Sequence, residues 1–277
     1  MNIIICAIAR NENQYINEWV KHHLDIGFSH IYIYDNNSTS DPYIGDCIDK
    51  DLLDRVTIFD WRDIRKPGLQ LKAYNEFYKQ NTFDWCLFCD IDEFITGTTN
   101  INETLSNPAL EGKEQIKVKI ELFGDDGAIE RDESIPVMEF FKKPITKQFH
   151  PMVKCFVRGN LSECIFSCVH YAQKNLAYPL DTCFASGKQC DYLGSMNMHV
   201  EPPDDYTGET LFLNHYQTKT LKEFLQQKYM LVWVLMPWKA RGLEYYWIYN
   251  EKTPEKVAYA KQYCIEHNIG YLDRSDK

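Results

Sequence analysis

The stretch CLFCDIDEFI, residues 86–95, ends an apolar run with three carboxylates in four positions. Like charges this close repel one another, so Asp90, Asp92 and Glu93 predict a cation as partner. The run is typical of a buried strand, on which Asp90 and Asp92 point to one face and Glu93 to the other. A divalent metal with oxygen ligands would neutralise the aspartate pair and bind a diphosphate through its remaining positions.

Apolar segments of strand length alternate with helical segments through the first part of the chain. Strands are predicted at 3–9, 30–35, 55–60 and 85–90, and helices at 14–26, 41–53 and 69–80. This alternation predicts an α/β fold with a mostly parallel sheet flanked by helices. Polar clusters follow the strands at 10–13, 35–38 and 90–93. The carboxyl ends of parallel strands are where such sheets bind ligands, so these clusters mark a candidate site.

Beyond residue 100 the pattern becomes irregular. Strand-like segments occur at 116–123, 137–141, 154–158 and 211–216, and helices are predicted at 220–229 and 254–267. The sequence contains no internal repeat or linker. We therefore expect one domain over residues 1–277.

Composition excludes several classes of protein. The chain has 277 residues, 44% of them hydrophobic, which is enough for a substantial core. Its formal net charge of −10 argues against nucleic acid as a partner, because phosphate backbones require an excess of Lys and Arg. The opening residues resemble a strand rather than a signal peptide. Ten cysteines without a disulfide framework indicate a cytoplasmic location.

Four segments carry a family resemblance. They are AIARNENQYINEWVKHHLDIGFSHIYIYDNNSTSD (7–41), QLKAYNEFYKQN (70–81), WCLFCDIDEFI (85–95) and FLNHYQTKTLKEFLQQK (212–228). In this order they resemble glycosyltransferases of the family 92 and family 2-like group, which have a Rossmann-like GT-A fold. The resemblance is patchy between 101 and 210. It implies a single GT-A domain, with a nucleotide-sugar-binding half (1–100) and an irregular acceptor-side half (101–277).

The resemblance also implies a reaction. A sugar would move, with inversion, from a nucleotide sugar such as a UDP-sugar to a glycan or lipid-linked oligosaccharide, in the synthesis of a surface polysaccharide or lipooligosaccharide. Mn²⁺ or Mg²⁺ would serve as cofactor. A cation at the diphosphate stabilises the transition state more than the ground state, because negative charge develops there as the glycosidic bond breaks.

Roles for individual residues follow from the same resemblance. The implied nucleotide and donor-sugar contacts are Arg10, Asn11, Asp35, Gln70, Lys72, Asn75, Asp90 and Lys219. The implied metal ligands are Asp92 and His215, with Asp90 facing the ribose or a metal-bound water. His170 and His199 are the alternatives to His215 as the histidine ligand of the metal.

An inverting transferase needs a general base for the acceptor hydroxyl. The candidates are Asp125 and Asp126, between two glycines, and Glu139. The resemblance implies small hydroxyl residues between the glycines, so this sequence departs from the family pattern and the base stays open.

Aromatic residues near the C-terminus are candidates for contact with the acceptor. They are Trp233, Trp238, Tyr245, Tyr246 and Trp247, although side chains at this spacing are more often core residues. The uncharged stretch 229–238 is too short to span a bilayer. Flanked by basic residues, it is consistent with peripheral contact at the cytoplasmic face of a membrane, and simple burial is the alternative.

Two other functions fit parts of the pattern. Phosphatases of the haloacid dehalogenase type also end a strand with Asp-x-Asp, and residues 124–127 resemble their later acidic pair. Those enzymes follow the second aspartate with small residues, whereas Glu93 and Phe94 follow it here. A non-catalytic protein that binds a sugar nucleotide is the second alternative.

Overall fold

The computed structural model of the chain describes residues 1–145, 153–175, 178–190, 208–229 and 242–275. The chain divides into two compact units. Unit 1 comprises Met1–Ile120 and Phe149–Asn214, and unit 2 comprises Glu121–Gln148 and His215–Lys277. The expectation of one domain over the whole chain stays a prediction.

Unit 1 contains most of the regular structure. Its helices are α1 (Ile16–Asp25), α2 (Leu69–Gln80) and α3 (Ile101–Leu105). The strands that lie wholly or largely in it are β1 (Ile3–Ala9), β2 (His30–Asp35), β3 (Val56–Asp60), β4 (Trp85–Phe88), β5 (Glu93–Thr96), β6 (Gln115–Leu122), β7 (Val153–Arg158), β8 (Gln173–Asn175), β9 (Tyr178–Pro179), β10 (Thr182–Phe184) and β11 (Phe212–His215).

The main sheet has the strand order β3-β2-β1-β4-β7-β6-β11-β5, and β10 pairs with β6. Strands β3, β2, β1 and β4 run parallel to one another, while β7 is antiparallel to both β4 and β6. The predicted α/β fold class, with a mostly parallel sheet flanked by helices, is confirmed.

The registers bring the polar ends of the parallel strands to one edge. Ala9 pairs with Asp35, and Asp35 with Asp60, while Phe88 of β4 pairs with Cys6 of β1. The backbone amide of Asn36 also donates to Ala9 O at 2.8 Å. The polar clusters after β1, β2 and β4 therefore follow neighbouring strands, as the sequence predicts.

Helix α2 covers one face of this sheet. Its buried residues Ala73, Tyr74, Phe77 and Tyr78 form the stripe that a period of 3.6 residues produces. They pack in a core cluster whose other members include Ile4, Cys6, Cys86, Phe88, Cys155 and Val157. Phe88 is thus fixed from both the sheet and the helix, two residues before the acidic cluster begins.

Unit 2 is built from helices. They are α4 (Val137–Phe140), α5 (Leu221–Phe224, continued by a π-helical turn at Leu225–Tyr229), α6 (Leu243–Tyr249) and α7 (Pro254–Glu266). Thr220 and Glu223 form a capping box at the start of α5. Leu221, Phe224, Leu243 and Tyr246 are completely or almost completely buried in a core with Ala260 of α7 and its neighbours.

Two predicted elements are wrong. The helix at 41–53 is replaced by two short 3-10 turns, Ile44–Cys47 and Leu53–Arg55. Here the side-chain oxygen of Asn17 accepts from the backbone amide of Asp49 at 2.8 Å, and the side-chain nitrogen of Asn17 donates to the Asp49 carboxylate. These contacts compete with the backbone hydrogen bonds that a helix would need. The strand at 137–141 is the single turn α4, because the carbonyl of Pro136 accepts from the amides of residues 139 and 140.

Candidate functional site

The acidic cluster forms a turn and not the end of a strand. Strand β4 stops at Phe88, and β5 begins at Glu93. Between them the Glu93 amide donates to Asp90 O at 3.2 Å, while the Asp90 amide donates to Glu93 Oε2 at 2.9 Å. The strand predicted at 85–90 is therefore confirmed for residues 85–88, whereas the extended geometry predicted for the acidic cluster at 90–93 is wrong. The Glu93 side chain turns back to its own turn because it satisfies an amide that the strand no longer pairs.

A lysine lies directly behind this turn. Lys154 of β7 is completely buried, and its Nζ lies 3.0 Å from Asp90 Oδ2 and 3.4 Å from Glu93 Oε2. Burial lowers the pKa of this ammonium, but Asp90 and Glu93 outweigh burial, so the pKa lies well above its ordinary value. The sequence predicts a cation beside the acidic cluster, and for Asp90 and Glu93 this cation is the ammonium of Lys154.

Helix α2 holds the first carboxylate from the other side. Gln70 Nε2 donates to Asp90 Oδ1 at 2.5 Å and to the Tyr74 hydroxyl at 2.9 Å. Residues four apart on a helix face the same way, which is why both reach the turn. The side chain of Asp90 is still 36% exposed, whereas that of Glu93 is only 1% exposed. Asp90 is therefore the oriented carboxylate that a ligand can reach, while Asp92 is buried.

Helix α1 fixes the strand that follows the turn. Trp19 Nε1 donates to Glu93 O at 2.8 Å, and His22 Nε2 to Ile95 O at 2.7 Å. His23 Nε2 accepts from the Ile95 amide at 3.3 Å, so its Nδ1 carries the proton and donates to Trp19 O. We call these three side chains the α1 clamp. Burial lowers the pKa of His23 well below its ordinary value, with a smaller contribution from His22.

A second polar cluster lies at the ends of β1 and β2. Asp35 is completely buried, and its carboxylate accepts from the amides of Asn37 at 3.0 Å and Ile44 at 3.4 Å. Asn37 Oδ1 accepts from the Asn11 amide at 2.7 Å. Asn11 has a positive φ of 58°, which asparagine tolerates better than most residues. Asp35 thus shapes the loop, and its contact with a nucleotide base stays a prediction.

Two arginines lie in this region. Arg65 donates to the carbonyls of Asn36 and Asn37, at 3.1 Å each. The pKa of the half-buried Arg10 is lowered, first by burial and then by the charge of Arg65. Two guanidinium groups whose positive charges repel each other favour the binding of an anion, because the anion offsets both charges. Sequence reasoning missed Arg65, because it stands in a loop with no recognisable motif.

The remaining donor-side predictions are placed less directly. Lys72 is exposed, and its Nζ lies 5.2 Å from the ring centroid of Trp61. The amide of Asn75 donates to the carbonyls of Leu71 and Phe166 and accepts from the Phe166 amide, so it holds a loop. These arrangements favour structural and surface roles. The predicted ligand contacts of both residues stay predictions.

The predicted general bases belong to unit 2. The Asp125 carboxylate accepts from Lys256 Nζ, from the Tyr246 hydroxyl at 2.6 Å and from the Gly127 amide at 2.8 Å. Asp125 and Lys256 are both buried. A buried carboxylate that accepts from three donors of its own protein is committed to holding the fold, which favours a structural role for Asp125.

Asp126 and Glu139 differ from Asp125 in their surroundings. Asp126 is half-buried with a φ of 51°, and its carboxylate accepts from the Lys142 amide at 2.9 Å. Glu139 lies exposed on α4. The assignment of a general base to any of the three carboxylates stays a prediction.

His215 and Lys219 also belong to unit 2. His215 is the last residue of β11 and is buried, and Lys219 is buried with a φ of 54°. Their predicted contacts with metal and diphosphate stay predictions. Tyr246 is completely buried, so for this aromatic residue the core alternative holds. The competing candidate His199, the aromatic residues Trp233 and Trp238, and the stretch 230–238 lie outside the described residues.

Among residues 1–145 and the later described ranges, no three His, Cys, Asp or Glu side chains are grouped to hold a metal by themselves. The hard oxygens of the turn nevertheless suit a divalent ion that is bound jointly with a diphosphate, because Mg²⁺ is commonly held by one or two carboxylates plus phosphates. No helix in the described part of the chain has the length and apolarity to cross a bilayer.

Known proteins resemble this chain in sequence and in structure. A glycosyltransferase family 92 protein of Ricinus communis is 29% identical over 129 residues, which are 44% of this chain and 23% of that protein. For one from Oryza sativa subsp. japonica the identity is 25% over 133 residues, 46% of this chain and 22% of that protein. The chain therefore spans less than a quarter of the length of these relatives.

Solved structures of S. aureus TarS are also similar. The fragment 1–349 has a TM-score of 0.34 and 16% identity, covering 57% of this chain and 47% of that one. The same fragment in complex with UDP has a TM-score of 0.34 and 14% identity, covering 48% and 38%. The family described as Glycosyltransferase family 92 matches residues 2–230. Because this match takes in most of the sequence, the chain belongs to glycosyltransferase family 92.

Proposed function

We propose that the chain transfers a sugar from a nucleotide sugar to a glycan acceptor, and that it binds the donor at the polar edge of the unit 1 sheet. One observation carries the proposal. In the turn between β4 and β5, the Asp90 carboxylate is oriented by Gln70 and Lys154 and still reaches solvent. A carboxylate has about four lone-pair positions, so Asp90 retains capacity for a donor hydroxyl or a metal-bound water.

The rest of the edge suits a nucleotide. Arg10 and Arg65 supply positive charge beside the loops that follow β1, β2 and β3. Parallel α/β sheets bind nucleotides at this edge, beyond the carboxyl ends of their strands. Family membership supports a transferase over the phosphatase alternative. UDP as the nucleotide, and the GT-A assignment, rest on the resemblance of the four segments.

We further propose that Mn²⁺ or Mg²⁺ assists the reaction. Asp92 and Asp90 would hold the ion together with the donor diphosphate, and the ion would supply positive charge to the departing nucleotide. Asp90 itself would orient the donor, and Gln70 and Lys154 hold its carboxylate in place. Inversion at the anomeric carbon, and an acceptor from a surface polysaccharide or lipid-linked oligosaccharide, are part of the same proposal.

Hydrolysis of a panel of nucleotide sugars with Mn²⁺ tests the proposal. We expect slow release of UDP from at least one UDP-sugar, and a loss of about tenfold to a hundredfold in Asp90→Asn, because a hydrogen bond to a charged group contributes about 1.5–3 kcal/mol. Asp25→Asn is the matched control, since Asp25 pairs with Lys21 on the exposed face of α1.

Three results would contradict the proposal. The first is wild-type hydrolysis in Asp90→Asn. The second is hydrolysis of a simple phosphate monoester in place of every nucleotide sugar, which would favour the phosphatase. Binding of UDP without turnover of any sugar nucleotide would favour the non-catalytic alternative.

A further inference from the structure

We infer that Lys154 is the built-in counter-ion of the acidic turn, so that a divalent metal binds this turn only together with the diphosphate of a nucleotide. The inference rests on the proposed function, because it concerns the donor site of that reaction. It deepens that function by assigning a role to a residue outside the Asp-x-Asp motif and by fixing how metal and nucleotide depend on each other.

The first argument is the position of the charge. The ammonium of Lys154 is completely buried and lies within 3.4 Å of carboxylate oxygens from both Asp90 and Glu93. A metal ion that approached Asp90 in the absence of nucleotide would meet this fixed positive charge at close range. Inside a protein such repulsion is screened only weakly by salt. The turn has thus already acquired the cation that its carboxylates require.

The second argument is the number of oxygen ligands. Asp90 Oδ1 accepts from Gln70, and Asp90 Oδ2 accepts from Lys154. Glu93 Oε2 accepts from the Asp90 amide and lies beside Lys154. Mg²⁺ requires a nearly octahedral shell of oxygens. The ion gives up its water reluctantly, and two of the three carboxylates in the turn are already committed to the protein, so without a phosphate few charged oxygens remain to replace that water.

A diphosphate removes both obstacles. Its oxygens complete the shell of the ion, and its negative charge offsets the ammonium of Lys154. Metal and nucleotide should therefore stabilise each other's binding, as linkage requires for any two ligands that bind cooperatively. Lys154 is accordingly a positioning residue, which acts through Asp90 and Glu93 and does not contact the donor.

Calorimetry and thermal unfolding with Mn²⁺ and UDP as probes test the wild-type protein. We expect Mn²⁺ alone to leave the Tm unchanged, and Mn²⁺ to tighten UDP binding at least about tenfold. Binding of Mn²⁺ without UDP at comparable affinity would overturn the inference but leave the proposed function standing. Equal UDP affinity with and without Mn²⁺ would also overturn it. Failure of UDP to bind under either condition would instead overturn the proposed function, and the inference with it.

Variants of Lys154 test the role of the ammonium directly. In Lys154→Met, the unpaired carboxylates should bind Mn²⁺ without nucleotide, at least about tenfold more tightly than the wild type, and Mn²⁺ alone should raise the Tm. Lys154→Arg keeps the charge and should behave as the wild type does.

If Lys154→Met does not fold, the double variant Lys154→Met/Glu93→Gln removes one charge of each sign and should also bind Mn²⁺ alone. Wild-type behaviour towards Mn²⁺ in the folded methionine variants would refute the role of Lys154. This readout does not depend on catalysis.

Discussion

Protonation of His23 should destabilise the protein below about pH 6.5. This imidazole is completely buried, and it uses one nitrogen as donor and the other as acceptor, so the folded state accepts the neutral ring only. Its pKa is lowered on folding, chiefly by burial. The unfolded state therefore binds the proton more tightly than the folded state does. The contribution of His23 to the free energy of unfolding is fully present above the pKa of the unfolded state and is lost as the pH falls below it.

The size of this effect follows from linkage. One proton taken up only on unfolding contributes about 1.4 kcal/mol per pH unit. At about pH 5.5, one unit below the ordinary pKa of histidine, the free energy of unfolding should be about 1.4 kcal/mol lower than at about pH 8 because of His23 alone. His22, whose pKa is also lowered by burial, adds to the loss.

Chemical denaturation at the two pH values, followed by tryptophan fluorescence, measures the effect. His23→Gln should lower the free energy of unfolding at about pH 8 by about 1–3 kcal/mol, since hydrogen bonds of the α1 clamp are lost. The variant should then lose about 1.4 kcal/mol less than the wild type on going to about pH 5.5. An equal loss in both proteins would refute the reasoning, because it would show that His23 does not take up a proton on unfolding.

Three further predictions concern other parts of the chain. Asp125→Asn should lower the free energy of unfolding, measured by chemical denaturation, by about 3–5 kcal/mol, because Lys256 would remain as a buried charge. Asp126→Asn, at a half-buried position, should lower it by less than about 1 kcal/mol. Similar losses in the two variants would contradict the role of the buried Asp125–Lys256 pair. Gln70→Ala should lower the rate of sugar-nucleotide hydrolysis about tenfold to a hundredfold while changing the free energy of unfolding by less than about 1.5 kcal/mol. An unchanged rate would show that Asp90 does not need the hydrogen bond from Gln70. Gly97→Ala should lower the Tm strongly, because Gly97 has a φ of 82° and an added Cβ would lie 1.6 Å from a backbone oxygen; a Tm equal to that of the wild type would rule out this close approach.

The sequence predicts the parts of the fold that depend on neighbouring residues. Strands β1 to β3 and helix α2 have their apolar pattern within each segment, and the structure places them within one or two residues of the predicted bounds. The same holds for α7. Local patterning is sufficient in these cases because each element buries one continuous face.

The partners of charged residues could not be predicted in this way. Lys154 stands 64 positions from Asp90, and only the antiparallel pairing of β7 with β4 brings them together. A lysine within an apolar strand would ordinarily be assigned to an exposed position. The available signal was the unbalanced charge of the acidic cluster, which required a cation and was assigned to a metal. Asp125 and Lys256 present the same difficulty, at a separation of 131 positions.

The hydrogen bonds of the α1 clamp reach main-chain atoms of β5, and its two histidines also pack against the Phe94 ring. Beyond Glu93 and Phe94, the side chains of β5 can therefore change during evolution without moving the carboxylates, provided that the volume of the core is kept. A protein engineer who transplanted the loop between β4 and β5 into a new scaffold would obtain its sequence but not its shape. The graft would have to include the first helix, since Trp19, His22 and His23 anchor the strand that follows the loop.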